Sequence, residues 1–143
     1  MKPILFTILC SLTLSCLHKD DDVVNCTEEY RILTVTLLDH KMMPVLLDSA
    51  FVRRNSTGEV ISFEQEDPWI DSVYRLQGIY IIFTDGHKHQ TSTNGEEFTF
   101  YGFLGPDEMV TEPYIIANDL CHVVKVTGRD TVVIGTRDRS SSW

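Results

Sequence analysis

Three histidines carry the metal-binding potential of this chain. His87 and His89 flank Lys88 directly after Asp85-Gly86, and His122 follows Cys121. Imidazole nitrogens and the Asp85 carboxylate are donor types that zinc accepts. On an extended segment, His87 and His89 would point to one side, as i, i+2 neighbours do. Neither Cys-x-x-Cys nor His-Glu-x-x-His spacing accompanies them, and an exposed loop end explains the pair without a metal. Glu64, Glu66, Asp67 and Asp71 could imitate a pair of catalytic carboxylates, but a solvated acidic loop is the simpler account. No Gly-x-Ser-x-Gly elbow occurs, and spacing alone assembles no Ser/His/Asp set. The chain therefore reads as a non-enzyme without metal or cofactor. The alternative is a small-ligand or metal binder using His87, His89 and His122.

The four cysteines divide by position. Met1-Lys2 gives a positive start, and the apolar run 4–14 follows it. That run is too short for a spanning helix, which needs roughly 20 apolar residues. A charged start, a short apolar stretch and a small residue before the cut form the secretory pattern. Thr13-Leu14-Ser15-Cys16 resembles a bacterial lipobox, with Thr13 where the family prefers leucine. Cys10, preceded by the bulky Leu9, is a poor rival. The resemblance implies a signal peptide over 1–15 and acylation of Cys16, which would anchor the chain durably, since several acyl chains hold where one does not. Lys19-Asp20-Asp21 resembles the export tag of surface lipoproteins in the Bacteroidetes phylum. It implies an outer-membrane protein facing the cell exterior, on an acidic tether over 16–25. Cys26 and Cys121 then remain as one pair. An oxidising compartment favours a disulfide between them, with two separate buried thiols as the alternative.

The elements that position these groups are strands. The chain has 143 residues, 43% of them apolar, which suits one globular domain over 26–136 with a tail at 137–143. Twelve Lys and Arg against 21 Asp and Glu give a net charge of −9, which argues against a nucleic-acid partner. In 31–37, Leu33, Val35 and Leu37 share one face while Thr34 and Thr36 share the other. Further strands are expected over 50–53, 59–63, 78–84, 98–103, 112–117, 122–127 and 131–134, with turn residues between them. Residues 65–76, with Trp69, Val73 and Leu76 at helical spacing, are either a short helix or an irregular crossover. Such a succession predicts an all-β chain, an antiparallel Greek-key β-sandwich of about seven strands. A closed barrel is the other solution.

Within this frame, Val35 to Asp39, Pro44-Val45 and Ala50-Phe51-Val52 resemble the first hairpin of the carboxypeptidase-regulatory-like, or transthyretin-like, domains. Gly78-Ile79-Tyr80 is similar to the Gly-x-Phe/Tyr step of a later strand there, and Thr93-Asn94-Gly95 with Phe98 is a looser version. Asp119-Leu120-Cys121-His122-Val123 resembles the closing segment of small Bacteroidetes lipoproteins of this fold. The resemblance implies a prealbumin-like sandwich and leaves function open, because one fold hosts many functions. A hydrolase of the same fold ends in Tyr-Arg-Gly-Ser, whereas this chain ends Arg137-Asp138-Arg139-Ser140-Ser141-Ser142-Trp143. Asp48-Ser49-Ala50, Asp71-Ser72-Val73 and Asp130-Thr131-Val132 resemble O-glycosylation sites of that phylum. The expected partners are the membrane, through the lipid, and a protein or glycan at the cell surface.

Overall fold

The computed structural model describes residues 24–63 and 68–135. In chain order the elements are β1 (Ile32–Asp39), β2 (Ser49–Arg54), β3 (Val60–Ile61), α1 (Pro68–Leu76), β4 (Ile79–Thr84), a 3-10 helix (Asp85–Gln90), β5 (Glu96–Leu104), β6 (Asp107–Asn118), β7 (Val123–Thr127) and β8 (Thr131–Ile134). The strands form two open sheets, one ordered β4-β1-β8 and the other β3-β2-β5-β6-β7. Among the described residues the fold is mostly strand with one short α-helix, and neither sheet closes into a barrel.

Alternation explains which faces meet. In β1, Val35 and Leu37 are fully buried. In β5, Phe98 and Phe100 point inward and pair across the ladder with Tyr114 and Glu112 of β6. Phe83 of β4 meets Phe98 at 4.8 Å between ring centroids, and Tyr80 meets Phe100 at 5.9 Å. Each such side chain contributes roughly 1.5–3 kcal/mol by leaving water. The other face of β2 and β5 carries a stacked ladder of Phe51, Tyr101 and Phe103, with the Arg53 guanidinium over Phe51 and Tyr101. Tyr80 also holds the β1–β2 loop. Its hydroxyl accepts from Leu47 N at 2.7 Å and donates to Val45 O at 3.0 Å.

One pairing departs from the expected antiparallel pattern. β8 runs parallel to β1, with Thr36 opposite Thr131 and Asp39 opposite Ile134. The chain leaves the large sheet after β7 and crosses to the small one through Gly128-Arg129-Asp130. There β4 already occupies one edge of β1, so β8 takes the other. Thr36 N donates to Asp130 O at 2.8 Å where the crossing ends.

The ambiguous segment contains a helix. Pro68 opens α1, where a missing N–H costs nothing. Asp71 in the first turn and Arg75 in the last complement the helix dipole and pair at 2.7 Å. Gly78, at φ +71°, receives the chain in the left-handed region, and Gly78 N donates to Arg75 O at 2.9 Å.

The crossing into β8 is as tight as the core. Gly128 has φ +117°, and a Cβ there would collide with the Tyr114 ring. Tyr114 cannot retreat, because it is buried and its hydroxyl donates to Arg129 O at 2.9 Å. Gly128→Ala is expected to destabilise the domain by roughly 1–3 kcal/mol through strain and overpacking. Gly58→Ala, whose Cβ meets nothing within 4 Å, should cost less. Paired urea melts check the order, and equal losses would refute the Tyr114 account.

Candidate functional site

Of the residues singled out in the sequence, Cys16, Lys19, Asp20 and Asp21 lie outside the described residues, as do Glu64, Glu66, Asp67 and the tail 137–143. The rest can be placed. Cys26 and Cys121 form a disulfide with Cα atoms 5.2 Å apart. It joins the segment before β1 to the turn between β6 and β7.

His122 sits beside that disulfide and is 5% exposed. Its Nδ1 lies 2.7 Å from Asp85 Oδ2 and its Nε2 lies 2.9 Å from Thr27 Oγ1. An ionised carboxylate only accepts, so Nδ1 is the nitrogen that donates. Asp85 is filled from other sides as well. Arg31 N donates to Oδ2 at 2.8 Å and Val123 N to Oδ1 at 2.7 Å. Burial raises the Asp85 pKa, but the hydrogen bonds from Arg31, His122 and Val123 outweigh it and hold the carboxyl below its ordinary value. Asp119 completes the turn by accepting from the Cys121 and His122 amides at 3.1 and 2.7 Å.

Hydroxyl, imidazole and carboxylate here follow the order of a nucleophile, a base and its orienter. The same bonds also make a clasp. Thr27 belongs to the segment that the disulfide holds, His122 to the turn at its other end, and Asp85 to the 3-10 helix after β4. Its bonds to Arg31 and Val123 tie the start of β1 to the start of β7, and so one sheet to the other.

The other two histidines are held elsewhere. Residues 85–90 are a 3-10 helix rather than the strand end on which His87 and His89 would share a side. With three residues per turn, i and i+2 point apart. His87 Nε2 donates to Ser62 O at 2.8 Å, Nδ1 lies 3.0 Å from Thr84 Oγ1, and the ring meets Phe63 edge-on. His89 is exposed. Among the described residues, no group of three His, Cys, Asp or Glu side chains is placed to hold a metal ion.

A second feature escaped the sequence reading. The two sheets part along the side where β3 and β4 are the edge strands, leaving a cleft of about 650 Å³. Ile61, Tyr80, Ile81 and Phe100 line it, Phe63 flanks it, and Arg75 of α1 stands on its wall. The only hint in the sequence was the apolar character of 78–84 on both faces. Asp71, read as part of an acidic loop, is the ion-pair partner of Arg75 in α1. Ser72 is exposed on the same helix, and Ser49 and Thr131 open β2 and β8. No family model, curated protein or solved structure matches this chain.

Two outcomes test the clasp. A depressed carboxylate stabilises the fold fully above its unfolded value, 3.8, and that contribution disappears as the pH falls through the lower folded value. Asp85→Asn should therefore cost roughly 1.5–3 kcal/mol at pH 7 and should flatten the loss of stability below about pH 4. Thermal melts at pH 7, 4 and 3 measure both effects; an unchanged acid limb would contradict the assignment. The disulfide closes a sequence separation of 95 residues, for which chain entropy gives about 4–5 kcal/mol as an upper figure. Intact mass after alkylation of non-reduced chain produced in an oxidising compartment should show no label on Cys26 or Cys121. Two labelled thiols would refute the pairing.

Proposed function

We propose that the chain is a lipid-anchored outer-membrane protein displayed at the cell surface. Its Greek-key, transthyretin-like sandwich would be a non-catalytic interaction or structural module. The observation that carries this reading is the position of the Cys26–Cys121 disulfide relative to the leader. Cys26 lies ten residues after Cys16, where the acidic tether would meet the folded domain. A domain held from the membrane by its N-terminus feels every pull at that junction. A covalent bond there passes the load to the β6–β7 turn, bypassing β1. The bond also suits export, because disulfides persist in oxidising compartments.

The hydrogen bonding of His122 supports the non-catalytic reading. Its ring is buried, and both nitrogens are engaged at the base of the tether. The partner in this reading is a protein or glycan outside the cell, met by a domain on a tether of about ten residues. An acidic domain is well suited to such display, since like charge keeps neighbouring copies apart.

Fractionation tests the anchor. Cys16→Ala should leave the membrane fraction or accumulate as uncleaved precursor. A variant still cleaved normally and still partitioning with detergent-extracted lipoproteins would sink the proposal. Protease shaving of whole cells should remove the domain, and alanines at Lys19, Asp20 and Asp21 should protect it.

A further inference from the structure

The cleft beside α1 has the makings of a binding site distinct from the clasp. β3 pairs with β2 through Val52–Ile61 and Arg53–Val60 and then stops. After Ile61 the chain turns toward the small sheet, where Ser62 O is captured by His87. β2 therefore lacks a partner over its first residues on that side, and β4 is an edge strand of the other sheet. Between them the cleft reaches Phe100 and Tyr80, both core residues. Its volume of about 650 Å³ lies within the range of small-molecule sites.

Arg75 and Asp71 both stand on the cleft wall, where they form one oriented ion pair. Arg75 Nε donates to Asp71 Oδ2 at 2.7 Å, and the guanidinium carbon lies 6.0 Å from the Tyr80 ring centroid. The arginine side chain is 41% exposed, and its two Nη groups donate to none of the described residues. A guanidinium fixed by one edge keeps its remaining donors in a planar fork that matches a carboxylate. Asp71 is already committed to Nε, so the fork is the group offered to a ligand. The net charge of −9 does not prevent this, since charges beyond about 8–10 Å are screened at physiological salt.

We propose that this cleft binds a small amphiphilic carboxylate as a free molecule. Its apolar chain or ring lies against Ala50, Val60 and Phe63, lining side chains that retain exposed surface, and its carboxylate meets the outer nitrogens of Arg75. The inference goes beyond the anchored-module reading and does not depend on it. A chain that failed to reach the membrane would still bind the ligand.

The test uses the full chain carrying Cys16→Ala, so that no acyl group competes for the cleft. Decanoate, decanol and decyltrimethylammonium, each below its micelle concentration, are titrated while backbone amide resonances are recorded. Decanoate should give saturable one-site shifts centred on Ile61, Phe63, Tyr80 and Ile81. Arg75→Gln should weaken decanoate about tenfold and leave decanol unchanged, as expected for loss of a charge-assisted hydrogen bond. Ser62→Trp, at an exposed position on the cleft wall, should block both. Each variant is first matched to the parent by its thermal melt. Shifts that do not saturate, equal binding of the cationic amphiphile, or an unaltered decanoate affinity in Arg75→Gln would each overturn the proposal.

Discussion

The Asp85 carboxylate holds the two sheets in register at one end. It accepts from the backbone of Arg31, ahead of β1, from the backbone of Val123, which opens β7, and from the His122 ring. β1 belongs to the small sheet and β7 to the large one, so a single side chain crosses between layers that share no ladder. Apolar packing between sheets is not directional and tolerates sliding. Hydrogen bonds to a buried carboxylate are directional, and leaving any of these donors unpaired costs about 1–3 kcal/mol. The disulfide beside them limits how far this end can open even when the hydrogen bonds break.

The two layers have different widths. Five strands face three, so the larger sheet must extend past the smaller or be covered by something other than strand. The chain uses both devices. On the β8 side, Arg129 folds over the inward-pointing Glu112 and forks onto its carboxylate, with Nε 3.0 Å from both oxygens. Hydrogen bonding to Arg129 holds Glu112 below its ordinary pKa against the cost of burial, so a carboxylate facing the core stays charged and paired. On the β4 side, α1 packs against β4. A cleft remains between α1 and the strands of both sheets, lined by Asp71 and Arg75 on the helix side.

Much of this was legible from short-range pattern. The alternation of Leu33, Val35 and Leu37 and the apolar run of 78–84 marked strands that form where expected. The expected strand over 59–63 shortens to Val60–Ile61, because His87 draws Ser62 away from the sheet. Trp69, Val73 and Leu76 signalled helical spacing, yet Trp69 and Leu76 are each 71% exposed. Spacing gave the element, not the face it buries. The clasp was the least visible part. His122 meets partners 37 and 95 residues away, and no local pattern encodes such a meeting. Asp85 looked like half of an Asp-Gly turn, a role that any exposed aspartate could fill.

The clasp gives a hydroxyl, an imidazole and a carboxylate a structural role. A catalytic hydroxyl must reach a substrate while its base remains free to take the proton. Here the hydroxyl sits one residue from a disulfide that joins it to the turn bearing the imidazole. The carboxylate holds two backbone amides in addition to the ring, so moving it to follow a reaction would unfasten the sheets. Each bond that makes the trio look reactive is also a bond that fixes the segment before β1 against the β6–β7 turn. Away from that rigid end, the Arg75–Asp71 ion pair of α1 stands on the wall of the cleft proposed above to receive a small carboxylate.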